Sequence, residues 1–222
     1  MDKLDTIKNY VVRRVTNQDA NALQVANHYL GRKAQAVEAY GLFEFDDLMA
    51  DMIGCVIFGK PASPSLCVGV CGREEAPHVI ELTRLWIHDK SPKNAESFLI
   101  SKALKMLDAK WQIVVSYAEI NAGHVGVVYQ ATNFFYTGLS DAHVVWLLDG
   151  KSSKHDRHLF DEHGGVDGAK AFFGDRLVRG ERGRKHRYVF FRGSAKRRRE
   201  LLGKLRYEVK GYPKSVTEGL HG

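Results

Sequence analysis

Residues 78–138 constrain the fold of this chain more than any other stretch. They read HVIELTRLWIHDKSPKNAESFLISKAL and then, after a short link, VVSYAEINAGHVGVVYQATNFFYTG. The pattern predicts strand, polar turn, amphipathic helix, strand, polar turn, helix, strand. The helix keeps Phe98, Leu99, Ala103, Leu104 and Leu107 on one face. Ile113–Tyr117 is nearly all apolar, as expected of a strand covered on both sides. Each point where a strand gives way to a helix carries polar side chains. Ser91, Asn94 and Ser97 stand at the first, and Ser116, Tyr117 and Glu119 at the second. In open α/β sheets ligands bind beyond the carboxyl ends of strands, so chemistry is expected at these two junctions.

The flanking sequence frames that stretch. Tyr10–Val15 is β-rich, and Thr16 or Asn17 caps a helix whose apolar stripe is Ala22, Leu23, Val25, Ala26, Tyr29 and Leu30, with Gly31 as its stop. His28 and Tyr29 then fall in the last turn. Tyr40–Phe45 reads as a loop, with a short helix over Asp46–Met52. Cys55–Phe58 and Cys67–Val70 read as two strands joined by the turn-rich GKPASPS. Ser91-Pro92 is a helix start, with serine as N-cap, and that helix ends near Asp108. Gly123–Thr132 predicts a shorter helix, and Phe134–Thr137 and His143–Leu148 predict strands. After Gly150 the character changes to a polar segment holding His155, His158 and His163. RYVFFR (Arg187–Arg192) is a strand, GERGRK before it a loop or hairpin arm, and Ser194–Leu205 a helix with its leucines on one side. This gives a core over residues 1–150 and a basic extension over 151–222.

Composition narrows the classes. No run approaches the ~18 apolar residues of a membrane span, and the charged opening MDKLDTIKNYVVRR has no secretory core; a soluble, cytoplasmic protein is expected. Three cysteines without a CxxC pair argue against a disulfide framework and a thiolate zinc site. The net charge of +7 is unevenly placed. Between Arg176 and Arg206 thirteen Lys or Arg face only Glu181 and Glu200, a local +11, so the rest of the chain carries −4. A polyanionic partner is expected for that region.

The order of elements, with a polar turn before the central helix, resembles the acyl-CoA-dependent N-acetyltransferase superfamily. A mixed sheet flanked by helices is what that resemblance implies, and the charge distribution adds a basic C-terminal extension. The turn Asp89–Ser97 lacks the glycines with which that superfamily cradles a pyrophosphate, although a helix N-terminus with Lys90 and Lys93 still suits phosphate. Over HYL (28–30), ELTRLW, SPKNAESFLI and the stretch VVSYAEINAGHVGVVYQATNFFYTG the chain resembles the Mom family of phage DNA-modification proteins.

That resemblance implies conversion of adenine N6 in double-stranded DNA to a carbamoylmethyl group, shielding phage DNA from host restriction. By it, His28, Tyr29, Glu119 and Tyr129 are the catalytic candidates, with glutamate at 119 where the family usually has aspartate. Arg84 and Ser97 match positions linked to acetyl-CoA or a related two-carbon donor, and Lys90 and Asn94 join them at the first junction. Iron is associated with the family, and His28, Tyr29 and Glu119 form a mixed N/O set for it.

The chemistry gives separate reasons for such residues. Adenine's amine is a weak nucleophile and needs a base, for which Glu119 and His28 are placed. The base must leave the duplex, and Asn133 and Tyr136 are of the types that read and stack on it. Arg182, Arg184, Lys185, Arg187, Lys196, Arg197, Arg198 and Arg199 are the expected phosphate contacts. Two alternatives stand beside this reading: a CoA-dependent N-acetyltransferase for a small amine or protein lysine, and a non-catalytic DNA-binding protein on the same fold.

Overall fold

The protein is described by a computed structural model covering residues 6–28, 31–45, 51–120, 123–141, 143–152 and 160–214. Its strands are β1 (Tyr10–Val15), β2 (Ala36–Glu44), β3 (Gly54–Gly59), β4 (Val79–Ile87), β5 (Ile113–Glu119), β6 (Phe135–Leu139), β7 (His143–Leu148), β8 (Lys151–Ser152), β9 (Leu177–Arg182) and β10 (Lys185–Phe191). The helices are α1 (Asn17–Asn27), α2 (Pro64–Cys71), α3 (Ala95–Met106), α4 (Val127–Ala131), α5 (Val166–Phe173) and α6 (Ala195–Lys204). A seven-stranded sheet runs β1-β2-β3-β4-β5-β10-β6, and a three-stranded sheet runs β8-β7-β9. In the large sheet β4 and β5 are parallel, while the other neighbouring pairs are antiparallel.

The large sheet is covered on both faces, which explains why Ile113–Val115 are apolar without alternation. On one face Ile80 and Leu82 pack with Leu99, Ile100, Ala103 and Leu104 of α3 and with Phe134 and Tyr188. On the other, Val79, Val115, Val189 and Phe191 pack with Val70 and Cys71 of α2 and Leu201 of α6. Helix α1 covers Ala39, Cys55 and Ile57. The buried positions of α1 are Ala20, Asn21 and Gln24 rather than the stripe read from sequence. Gln24 is taken inside because its amide donates to the Cys55 carbonyl at 3.1 Å.

Two features of β4 shape everything downstream. The first is a bulge: Ile57 pairs with Arg84 but Phe58 pairs with Leu82, so Thr83 is the extra residue. Ile80 and Leu82 face the α3 core before it, and Leu85 and Ile87 face that core after it. Arg84 is thereby turned to the opposite face, the one that carries Glu81. The second is a parting of strands. β4 and β5 are paired from Val79–Ile113 to Leu82–Ser116, and no further, although β4 continues to Ile87 and β5 to Glu119. Ser116 Oγ donates to the Leu82 carbonyl at 3.0 Å where they part.

Several sequence expectations are corrected. Tyr40–Phe45 is not a loop; residues up to Glu44 belong to β2, with Tyr40 and Leu42 fully buried. Cys67–Val70 is helical, in α2, because Ser63 caps it by accepting from the Leu66 N–H and Pro64 opens its first turn. Helix α3 begins at Ala95, not at Pro92. Asn94 precedes it in the left-handed conformation (φ 68°), and the Ser91 and Ala95 N–H groups close separate turns onto His88 and Pro92. Helix α4 is confined to Val127–Ala131. Of the helix expected over 46–52, residues 46–50 lie outside the described residues, and Asp51 and Met52 belong to no element. A boundary at residue 150 does not separate the sheets. β10 is inserted between β5 and β6, and β7 pairs with β9 across that position.

The basic helix α6 is partly spent on this packing. Arg197 is bonded to the buried Glu75 and to Gln112, and Lys204 reaches Glu75 at 2.7 Å. Removing Arg197 leaves a buried carboxylate with one partner fewer. Arg197→Ala is therefore expected to lower unfolding free energy by about 2–4 kcal/mol, and Arg198→Ala, fully on the surface, by less than ~0.5 kcal/mol. Denaturant titration of the two variants checks this.

Candidate active site

The parting of β4 and β5 opens a cleft of about 900 Å³. Strand β4 lines it with Glu81, Leu82, Thr83, Arg84 and Leu85, and β5 with Tyr117, Ala118 and Glu119. Asn94, Glu96 and Ser97 enter from the N-terminal end of α3, and Tyr129 from α4. His28 and Arg32 enter from the segment after α1, and Val145 and Leu147 of the small sheet form a further wall. Because these groups come from both faces of the sheet, the cleft passes through the gap between the two strands.

Each polar group has a local reason for its position. His28 is the C-cap of α1, its N–H donating to the Gln24 carbonyl at 2.8 Å. Burial, then the positive charge of Arg84 and the neighbouring His124, push the His28 imidazole down to about 4, so it is neutral at pH 7. Glu119 and Lys185 are register partners on β5 and β10, and their charges meet at 2.7 Å in the cleft wall. Glu81 sits one residue before the parting, opposite Val115. Burial pushes its carboxyl up to about 7, against the pull of Lys185, Arg84 and the Ala62 N–H. Tyr117, also shielded, is raised above the ordinary phenol range by burial first and then by Glu81. Tyr129 packs on Phe134 and Tyr188, and Gly126 at the N-cap of α4 (φ 74°) lies where a Cβ would fall 2.5 Å from the Tyr188 ring.

The structure thus brings His28, Arg84, Asn94, Ser97, Glu119 and Tyr129 to one cleft, together with Lys185. Tyr29 lies outside the described residues, as do His155 and His158. Lys90 is exposed on the loop and does not line the cleft. Asn133 lies in a separate groove of about 800 Å³ with Lys105, Arg198 and Arg199. Among the expected DNA contacts, Tyr136 and Arg187 are corrected. Tyr136 is buried, its hydroxyl bonded to His186 at 2.9 Å. Arg187 is buried with its guanidinium on Thr137 and over the Tyr207 ring at 3.4 Å. Arg197 belongs to the Glu75 network described above.

Lys196, Arg198 and Arg199 are exposed; Arg184 is half-buried and donates to the Ser140 carbonyl at 2.8 Å. The side chain of Arg182 lies outside the described part. Strand β10 separates the hairpin at Lys185 from the helix beyond Phe191 by ~20 Å, so the basic stretch is two patches rather than one.

Sequence reading missed Glu81 and His124 as members of the site. Glu81 had a visible signal, a carboxylate inside an otherwise apolar strand. Its kinship with Arg84 had none, since strict alternation puts residues three apart on opposite faces.

Of the expected metal set, His28 and Glu119 line the cleft and Tyr29 lies outside the described residues. Among them no group of three or more His, Cys, Asp or Glu side chains is arranged to hold an ion, and Glu119 is already engaged by Lys185. For a phosphate-bearing donor, the first turn of α3 offers backbone N–H groups without intrahelical partners. Left-handed Asn94 takes the conformation a glycine would otherwise supply. Ser91 Oγ is buried there and, among the described residues, has no hydrogen-bond partner.

Comparison with known proteins agrees with the resemblance noted from sequence. The model of the Mom protein family matches residues 9–214. The methylcarbamoylase Mom of Escherichia phage Mu is 31% identical over 169 residues, covering 74% of this chain and 68% of that protein. Similar solved structures include a GNAT-family acetyltransferase from Streptococcus pneumoniae (TM-score 0.45, 10% identity, 83% of this chain and 99% of that one). Another is an N-acetyltransferase from Staphylococcus aureus Mu50 (TM-score 0.43, 13% identity, 82% and 98%). At these TM-scores the structural likenesses carry no part of the functional argument. No helix among the described residues is long and apolar enough to cross a membrane.

The depressed His28 imidazole has a measurable consequence. Below pH 6.5 the unfolded chain takes up a proton there that the folded chain refuses until about pH 4. Stability is therefore expected to rise with pH across that window. His28→Gln should flatten this rise, and an NMR titration should place the His28 midpoint near 4.

Proposed function

The chain belongs to the Mom protein family, and from that premise we propose that it is a transferase converting adenine N6 in double-stranded DNA to carbamoylmethyl adenine. In a phage setting the product would shield DNA from restriction. The observation that carries this reading is convergence. His28, Arg84, Ser97 and Tyr129 stand at positions of the family's motifs by the resemblance, as does Glu119 with glutamate for the usual aspartate, and the five meet in one cleft.

The cleft suits the task in size and lining. Its ~900 Å³ is in the range of sites that enclose a small molecule or a flipped base. Tyr117 and Tyr129 offer aromatic surface beside polar groups. An acyl-CoA-type donor would be held at the α3 side by Arg84, Asn94, Ser97 and the helix N-terminus, with Ser91 and Lys93 toward its phosphates. Such a donor supplies an activated two-carbon unit. Forming an N–CH₂ bond, rather than an amide, requires that the electrophilic carbon be the methylene, so plain acyl transfer does not give this product.

On the acceptor side, the Glu119–Lys185 pair and neutral His28 provide hydrogen-bond acceptors and donors for the amine and the base edge. Val145 and Leu147 add apolar surface to the cleft wall. DNA would reach the cleft through the hairpin carrying Arg184 and Lys185, and Lys196, Arg198 and Arg199 would hold phosphates farther along.

Co-expression in bacteria followed by mass spectrometry of digested DNA tests the reading. A deoxyadenosine derivative heavier by the carbamoylmethyl group is expected, and Arg84→Ala or Glu119→Gln should each reduce it at least about 100-fold. Unmodified deoxyadenosine alone, from soluble wild-type protein, contradicts it; so does an acetylated amine product.

A further inference from the structure

The amine that is alkylated must lose a proton; besides Glu96 and His124, which are exposed, the cleft is lined by three carboxylate or imidazole groups able to take it. His28 is a poor acceptor, since burial and Arg84 hold it neutral down to about pH 4. Glu119 has its carboxylate in an ion pair with Lys185 at 2.7 Å. The third is Glu81, which neither the motifs nor the family match single out.

Geometry favours it. Glu81 lies next to Leu82, the last paired residue before β4 and β5 separate, so it stands at the root of the cleft. The bulge at Thr83 turns Arg84 onto the same face as Glu81. Tyr117 and Lys185 line that side too. In a strand whose Val79, Ile80 and Leu82 are buried, the Glu81 carboxyl accepts from the Ala62 N–H and has no salt bridge within 4 Å among the described residues. The groups that act on it are Arg84 from its own strand, Tyr117 from β5, Lys185 from β10, Cys67 from α2 and the Ala62 N–H.

We propose that Glu81 is the proton acceptor for the acceptor amine, an assignment that rests on the transferase reading given above. In the step, the amine lone pair forms the new bond to the methylene carbon of a carbamoylmethyl donor, a two-carbon amide that carries a leaving group on that carbon. The bond from that carbon to its leaving group breaks, and the leaving group keeps the electron pair. The N–H bond breaks, its electrons remain on nitrogen, and the proton passes to the Glu81 carboxylate. No oxidant or reductant is consumed. A carboxyl raised to about 7 is matched to this work near neutral pH, being both free to accept and able to release the proton afterwards.

The test uses purified full-length protein, plasmid DNA and a bacterial extract as the source of donor, with modified deoxyadenosine measured between pH 6 and 8. Wild type is expected to rise with pH about a midpoint near 7. Glu81→Gln should lose at least about 100-fold, with a melting transition at neutral pH no lower than that of wild type. A Glu81→Gln protein that keeps the wild-type rate, or that is slower but keeps the same midpoint, overturns the assignment. Should Glu81→Gln not fold, isotope-edited infrared titration of wild type decides: a Glu81 midpoint near 7 supports the assignment, and one below 5 overturns it. Failure of wild type to modify any DNA overturns the transferase reading itself, which separates the two claims.

Discussion

The site depends on two parallel strands that stop pairing while both continue. Backbone N–H and C=O groups are costly to leave unpaired in a protein interior, so such a gap survives only where something else occupies it. Here the ladder between β4 and β5 ends at Leu82–Ser116, and the space beyond is lined by side chains from α1's end, α3, α4 and the small sheet. The extra residue at Thr83 adds the second half of the device. Without it Arg84 would point into the α3 core, where burying a charge is costly; with it, the charge is delivered into the cleft. A one-residue irregularity thus converts a structural strand into a wall of functional groups.

Charge in the cleft is arranged as unequal neighbours rather than as a uniform field. Burial, then the charge of Arg84, suppresses protonation of His28, and Lys185 pairs with Glu119 across the β5–β10 pair. The basic surface is divided in the same economical way. Arg187 and Arg197 hold the fold, and Lys196, Arg198 and Arg199 remain for solvent or a polyanion.

Much of this was legible in the sequence where the signal is local. β4, α3 and β5 follow from periodicity, and RYVFFR is plainly a strand. Its place between β5 and β6 was not legible, because that pairing joins residues some seventy positions apart, and no local pattern encodes it. Ser-Pro appears twice as a helix-start signal. At Ser63-Pro64, read from sequence as part of a hairpin loop, the serine caps α2, whereas at Ser91-Pro92, where a helix start is read, left-handed Asn94 delays α3 by one turn. The α2 segment LCVGVC was misread because its apolar residues suit either a buried helix or a strand. Arg84 and Glu81 were both visible as charged residues in an apolar run, but only the bulge shows that they share a face.

The central claim is that chemistry occurs in the gap between β4 and β5. Filling that gap while sparing the basic surface tests it most directly, with Ser97→Trp from the α3 side and Leu147→Trp from the small sheet. With folding and DNA retention verified, both variants are predicted to leave co-expressed DNA without the modified deoxyadenosine that wild type produces. Modification at the wild-type level with the cleft blocked would contradict the account.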